Sequence, residues 1–321
     1  MGGLILKRLP AMLATLLIVS FLTFLLTSLL PGDPAIQILG ADNANDENSV
    51  AVVRQELRLD DPLLVRYGAW LENVAQGDLG RSFRTDQNVR EAIAERLPVT
   101  LEIGGLAVFI ALVVAIPLGT LSAFRAGGRA DRIITGASFG LLALPAFMVA
   151  ILLILVFAVT LGWLPATGWV RFTNNPVENL RHAILPALSL AVGEMAVYTR
   201  LLRADMITTL QQDSITMARA KGIPTKRILF RHALRPSSFS LMTVVGLQVA
   251  TIIGGAVIIE TLFALPGVGR LLVDSILQRD LIMVQGCALV IAFAFVIINF
   301  IVDILYTFLD PRIRHGSAAT A

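Results

Sequence analysis

The feature that most constrains this chain is a set of apolar runs, each about 20 residues or longer. A helix of about 20 apolar residues crosses the hydrocarbon core of a bilayer, whereas a membrane β-strand needs only about ten alternating residues. Charged residues make up only 15% of the chain, fewer than in ordinary soluble domains. The sequence therefore predicts an all-α integral membrane protein with six transmembrane helices. The runs span residues 9–30, 99–124, 133–161, 182–202, 239–259 and 282–309.

The first run has to be distinguished from a cleavable secretory signal. Such a signal has an apolar region of about 7–15 residues followed by a small-residue cleavage site. Here the run is longer and ends in the sequence Leu-Leu-Pro-Gly-Asp-Pro at residues 29–34. This pattern favours a retained transmembrane helix.

The distribution of lysine and arginine predicts the orientation, because short cytoplasmic loops carry an excess of both. With the N-terminus inside, the two short outer loops hold only Arg171, Arg181, Arg270 and Arg279. Both termini and the loop at 203–236 are then predicted to face the cytoplasm. The cytoplasmic cations outside 213–236 are Lys7, Arg8, Arg125, Arg129, Arg132, Arg203, Arg312 and Arg314.

This topology predicts four segments along the chain. A cytoplasmic N-terminus and the first helix occupy 1–30, and a polar extracytoplasmic segment follows at 31–98. A core of five transmembrane helices spans 99–309 and includes a cytoplasmic loop at 204–236, and a cytoplasmic tail occupies 310–321. Within the polar segment, short helices are predicted at 52–59 and 62–74.

A basic stretch from Asp213 to Pro236 is the longest polar interruption in the C-terminal two thirds of the chain. Gly222 and Pro224 predict the end of a first helix over 213–221, since glycine suits the left-handed position after a helix. Thr225 is a suitable cap for a second helix over 226–234, with the arginines at 227, 231 and 235 on one face. The stretch is either an ordinary basic loop or a docking element for a soluble partner. Its cations are Arg219, Lys221, Lys226, Arg227, Arg231 and Arg235.

The sequence Ala-Arg-Ala-Lys-Gly at 218–222, continuing to His-Ala-Leu-Arg at 232–235, resembles the cytoplasmic "EAA" coupling loop of ABC importer permeases. It is most similar to the dipeptide/oligopeptide/nickel subfamily. The chain departs from the motif at Thr216, where the family has an acid, and at Met217, where it has alanine. Four other motifs resemble the same subfamily in the same order, and they lie at 30–35, 77–83, 260–270 and 310–314.

The resemblance implies the type I ABC importer permease fold and a prokaryotic inner-membrane location. It also implies a heterodimer with a second permease, two ATPase subunits or domains that bind ATP and Mg, and an extracytoplasmic solute-binding protein. The chain itself would have no catalytic activity, metal or cofactor, and would carry di- or oligopeptides or, alternatively, nickel or another small solute. The implied ATPase-coupling residues are Thr216, Met217, Ala218, Arg219, Ala220, Lys221, Gly222, Arg227, Arg231 and His232.

Polar residues within the apolar runs are candidates for a translocation path, because buried charge in a span is costly and often functional. These residues are Glu194, Asn299 and Asp303. Structural pairing is the alternative explanation for Glu194, and a position near the interface is the alternative for Asp303. The residues alone leave both explanations open.

Two other classes of protein remain to be weighed. An ion-coupled secondary transporter would show internal repeats and several ionisable residues within its spans, and the sequence shows no clear repeat and few such residues. The sequence Gly-Ala-Ser-Phe-Gly at 136–140 matches a hydrolase nucleophile motif, but it lies in an apolar run, where helix packing is the expected role. The chain also contains no phosphate-binding G-x-x-x-x-G-K-[ST] loop, so ATP would have to bind another chain.

Overall fold

The computed structural model describes residues 2–28, 35, 47–56, 58–82 and 84–309. Within these ranges the chain is helical, and its only β-structure is an isolated bridge between Arg81 and Asn88. The prediction of an all-α protein is therefore confirmed. The helices are α1 (Gly2–Ser28), α2 (Glu47–Glu56), α3 (Leu63–Ala75), α4 (Val89–Phe124), α5 (Arg129–Leu142), α6 (Ala146–Leu153), α7 (Pro176–Leu210), α8 (Asp213–Ala220), α9 (Thr225–Arg227), α10 (Leu234–Leu262), α11 (Val268–Leu277) and α12 (Leu281–Leu309).

The chain divides into two units. The first comprises residues 1–100 and 266–296, and the second comprises residues 101–265 and 297–321. The four segments predicted from the sequence concern the two sides of a membrane, and they stay a prediction. The short helices predicted at 52–59 and 62–74 correspond to α2 and α3, with α2 beginning earlier than expected.

In the first unit, α1 packs against α3 through aromatic side chains. The rings of Phe24 and Trp70 lie 5.7 Å apart, and the hydroxyls of Ser20 and Tyr67 are hydrogen-bonded at 2.8 Å. The buried core of this unit joins α4, α11 and the start of α12. Its buried side chains are Val89, Ala92, Ile93, Val268, Met283 and Cys287.

The loop before α4 is tied to the start of α12. Ser82 donates a hydrogen bond to Asp280, and this carboxylate also accepts the backbone N–H of Met283. Both Ser82 and Asp280 are buried. The Gly-Asp-Leu-Gly-Arg-Ser run of the sequence is thus part of a built structure rather than a free linker.

In the second unit, α7 is the central helix and packs against α5, α6 and α10. The end of α4 also comes close to α7 at Gly119, where an added Cβ would lie 3.1 Å from the Leu202 side chain and from the Thr199 carbonyl. Because only glycine fits without a shift, α4 and α7 can approach closely at this level.

Three described helices are long and apolar enough to cross a membrane, or five if each of two bent pairs is one span. The run at 133–161, predicted as one span, is instead a broken pair. Helix α6 continues into a π-helix at Ile154–Thr160, and this combined helix meets α5 at an angle of 102°. The break lies at Pro145, which lacks the N–H that would continue the helix. The predicted count of six spans stays a prediction.

Candidate functional site

The basic stretch folds as a short helix closed by a glycine turn. Helix α8 ends in a Schellman motif, in which the N–H of Ile223 bonds to the carbonyl of Ala218 and the N–H of Gly222 bonds to that of Arg219. Gly222 has a φ of +73°, in the left-handed region that side chains other than glycine avoid. The predicted helix over 213–221 and its glycine stop are confirmed.

One face of α8 is held by a small apolar cluster. Ile215 and Ala218 are buried against Ile228, and Leu210 and Ile223 pack around them. Ile223 is also the residue that completes the turn, so the same side chain closes the helix and anchors it. The helix is therefore fixed to the chain that follows it.

The second predicted helix differs from the structure. Thr225 is not a cap: it is the first residue of α9, and Pro224 precedes it without a side-chain cap. After α9 the chain forms a π-helix at Ile228–Ala233 and continues directly into α10. The wider π turn buries Ile228 and Leu229 while the predicted basic face stays exposed at Arg227, Arg231 and Arg235.

The opposite face of α8 is open. Met217 is 60% exposed, and the side chain of Phe230 on the neighbouring π-helix is 59% exposed. Ala218 is the one predicted coupling residue that is buried, and it serves to attach the helix. The other predicted coupling residues are exposed: Thr216, Met217, Arg219, Ala220, Lys221, Gly222, Arg227, Arg231 and His232. We call these exposed residues, four of which are cationic, together with Phe230 the α8 surface.

An ion pair between a buried carboxylate and a partly exposed arginine, which the sequence did not predict, lies at the same end of α7. Nε and Nη2 of Arg203 donate to the two carboxylate oxygens of Asp131, the second at 2.8 Å. The same carboxylate accepts hydrogen bonds from the Ser122 and Thr135 hydroxyls and from the N–H of Gly127. The pair joins the end of α4, the start of α5 and α7.

The Arg203 guanidinium, with help from Ser122 and Gly127, holds the pKa of the Asp131 carboxyl well below its usual range. Asp131 lies just before the span predicted from residue 133, and it is buried. One sequence signal could have found it. It is the only acid between Glu102 and Glu178, and it stands among three arginines.

Glu194 lies in the middle of α7, and it faces the Tyr198 hydroxyl and the Gln248 side chain of α10. The contact with Tyr198 does not have the geometry of a hydrogen bond. Oε2 of Glu194 and the hydroxyl oxygen of Tyr198 are both buried without a hydrogen-bond partner in the described residues. Glu194 is thus a half-buried carboxylate, and one of its oxygens has no hydrogen-bond partner in the described residues.

The other two polar candidates are less informative. Asn299 is half-buried on α12, and the Asp303 side chain lies outside the described part of the structure. The hydrolase motif is not a nucleophile site, because the Ser138 hydroxyl is buried within α5 and donates to the Ile134 carbonyl at 2.8 Å. Among the described residues, no group of three His, Cys, Asp or Glu side chains is arranged to hold a metal ion.

Comparison with known proteins gives matches over nearly the whole chain. Residues 115–315 match the family described as "Binding-protein-dependent transport system inner membrane component". Residues 1–104 match the N-terminal family of the same kind of protein.

Individual relatives are similar over their full length. A protein of Brucella abortus (strain 2308) named as a peptide transport system permease is 46% identical over 98% of this chain and 100% of its own. The oligopeptide transport system permease protein AppB of Bacillus subtilis is 39% identical over 98% of this chain and 100% of its own. The glutathione transport system permease protein GsiC of Salmonella choleraesuis is 37% identical over 97% of this chain and 98% of its own.

Proposed function

Because this chain belongs to the family of binding-protein-dependent transport system inner membrane components and is a transport subunit, not an enzyme, we propose that the α8 surface is where separate ATPase chains drive it. The chain is a membrane permease of an ABC importer. The proposal concerns how it is driven, what it carries and with which chains it assembles.

The observation that carries this proposal is the attachment of α8. A short exposed helix can transmit a displacement only if it moves as a body with the helices on either side of it. Ile215 and Ala218 fix α8 on Ile228, and the π-helix that contains Ile228 runs directly into α10. A push on the α8 surface is therefore passed to an apolar helix rather than absorbed by a loop.

The α8 surface has the composition of a docking site. Met217 and Phe230 expose apolar side chains among cations, a mixture that suits a partially apolar, acidic cleft on a partner. ATP and Mg would bind the partner chains, where closure of the ATPase pair pulls the α8 surface. The permease pair would then open toward a solute-binding protein on the other side of a prokaryotic inner membrane.

The proposed solute is a di- or oligopeptide. The relatives named above are peptide, oligopeptide and glutathione transport permeases. Nickel or another small solute is the alternative. Glu194, Asn299 and Asp303 are proposed as polar residues of the translocation path.

Co-purification tests the docking proposal. We expect the tagged importer, solubilised from native membranes in mild detergent, to retain a second permease and an ATPase chain. Met217→Asp should release the ATPase and leave the second permease bound, because Met217 is exposed and contributes no core contact. Arg171→Glu, an exposed charge change on a predicted outer loop, is the control. Equal ATPase retention in both variants would contradict the proposal.

Two substitutions of Gly222 test whether the left-handed backbone of the turn matters for coupling. Gly222→Val should weaken coupling of ATP hydrolysis to transport, because a β-branched residue resists the φ of +73°. Gly222→Asn should be milder, since asparagine tolerates this conformation and an added Cβ meets no atom within 4 Å. Transport and ATPase rates in proteoliposomes give the comparison, and identical coupling ratios would count against a role for the turn.

The solute is tested on the reconstituted importer with its binding protein. A mixed dipeptide pool, a pool of longer peptides and a nickel chelate are offered in separate assays of binding-protein thermal stability and of ATP-dependent uptake. We expect stabilisation and uptake with peptides. A response to nickel alone would replace the peptide assignment and leave the importer mechanism unchanged.

A further inference from the structure

A cavity of about 490 Å³ lies between α5 and α7, beside the Asp131–Arg203 ion pair. Its walls combine the guanidinium groups of Arg200 and Arg203 with the apolar side chains of Phe139, Val197 and Leu201. Polar and apolar parts therefore meet in one groove, and neither the α8 surface nor the proposed translocation path includes it.

The cavity carries positive charge, and acidic side chains neutralise only part of it. Arg203 neutralises Asp131 with two of its three nitrogens. The exposed Arg200 lies over the ring of Phe139, 4.3 Å from guanidinium carbon to ring centroid, and within the described residues it has no acid within 4 Å. The nearest acids along α7 are Glu194 and Asp205, and neither lines the cavity.

The same end of the unit adds further positive charge. The turn before α5 and its first residues carry three exposed arginines, none with an acid within 4 Å in the described part of the chain. They are Arg125, Arg129 and Arg132. A negatively charged ligand in the cavity would thus meet an excess of cations and no uncompensated carboxylate.

The depth of the cavity in the membrane narrows the class of ligand that it can bind. Arg200 lies two residues before the end of the predicted span at 182–202, and the predicted orientation places that end at the cytoplasmic face. A cationic groove between helices at this level stands among the headgroups of the leaflet that holds the anionic lipids. On α7, Val197 precedes Arg200 by three residues and so lies nearer the middle of the predicted span.

We propose that this cavity binds one anionic phospholipid. Its phosphate lies against the guanidinium groups of Arg200 and Arg203, and an acyl chain runs along Phe139 and Val197. The proposal rests on the predicted orientation of the chain and is independent of whether α8 binds the ATPase. The bound lipid bridges α5 and α7, and the second of these leads directly to α8.

Quenching by brominated lipid tests the site in the reconstituted importer. Phe139→Trp, in a background with Trp70, Trp163 and Trp169 changed to phenylalanine, places a fluorophore in the cavity and keeps an aromatic ring under Arg200. The probes are brominated phosphatidylglycerol and brominated phosphatidylcholine in otherwise identical vesicles. We expect the anionic lipid to be preferred by about fivefold at this position, the size expected for one cation at an anionic lipid surface.

Three variants test whether the positive charge of Arg200 causes the preference for the anionic lipid. Arg200→Gln should reduce the preference to about onefold, and Arg200→Lys should retain most of it, because the charge at the headgroup level remains. Arg171→Gln on the outer loop is the matched control and should change nothing. Equal quenching by the two lipids, a preference that survives Arg200→Gln, or one that inorganic phosphate abolishes would overturn the proposal.

Discussion

Asp131 and Glu194 are two carboxylates of the same unit with opposite surroundings. Asp131 accepts hydrogen bonds from Arg203, Ser122, Thr135 and the Gly127 backbone, so that each of its oxygens is bound more than once. Glu194 faces Tyr198 and Gln248, and one of its oxygens is buried without a partner in the described residues.

The difference separates a structural carboxylate from one that is available for another role. A buried ion that is fully paired holds its neighbours in one arrangement, and removing one partner strands the other. A carboxylate with an unpaired oxygen can still bind a group that arrives during transport. The number of hydrogen-bond donors at each carboxylate, rather than burial alone, distinguishes the two sites, and each prediction below changes one of the carboxylates or a side chain next to it.

The largest effect is expected from Asp131→Ala. It leaves Arg203 and several donors without an acceptor, and we expect it to lower the free energy of unfolding by about 2–3 kcal/mol, below the range for fully buried pairs because Arg203 is partly exposed. Unfolding in mixed SDS micelles measures the change. The Arg203→Ala double variant should lose less than the sum of the single variants. Strict additivity would show that the pair is not coupled.

A smaller effect is expected from Arg203→Lys. Lysine keeps the positive charge but cannot reproduce the two-nitrogen contact with Asp131, so we expect a loss of about 1 kcal/mol in the same unfolding measurement. A loss as large as that of Asp131→Ala would mean that geometry, and not charge, dominates the pair.

Glu194→Gln is expected to change stability by less than about 0.5 kcal/mol, since glutamine keeps the shape of a side chain whose second oxygen is unpaired. Uptake in proteoliposomes should nevertheless fall severalfold if the carboxylate lines the path. Asp205→Asn is the control, because Asp205 also has a buried unpaired oxygen but lies beyond the predicted span. Normal uptake by Glu194→Gln would make Glu194 a structural residue.

The smallest effect is expected from Tyr198→Phe. It removes a buried hydroxyl that has no hydrogen-bond partner in the described residues, so the free energy of unfolding should be unchanged or raised by no more than about 0.3 kcal/mol. The unfolding midpoint in SDS measures this change. A clear destabilisation would show that Tyr198 donates a hydrogen bond to Glu194. Glu194 would then resemble Asp131 in having its oxygens paired.

The basic stretch was the most predictable part of the molecule because its signals are local. Gly222 and Pro224 were sufficient to predict where α8 ends, and the end lies within one residue of the prediction. The π-helix at Ile228–Ala233 was not predicted, and its first residue packs on Ile215 of another helix. The helix and turn preferences of single residues give no information about that contact.

Pairing between distant helices was the least predictable feature. Asp131 and Arg203 are separated by 72 residues, and no local rule gives the rotation of one helix against another. The sequence did contain a signal for the break between α5 and α6, since the residue before a proline avoids the helical conformation. The apolar run at 133–161 masked it, because hydrophobicity alone predicts a span without predicting its continuity.

The break at Pro145 also constrains what must surround the corner between α5 and α6. The first N–H groups of α6, at Ala146 and Phe147, have no preceding turn of helix to accept them, and hydrocarbon offers no acceptor in its place. With 14 residues, α5 is about 21 Å long and cannot cross a bilayer by itself. The corner is therefore expected where water, lipid headgroups or polar groups of protein reach the backbone.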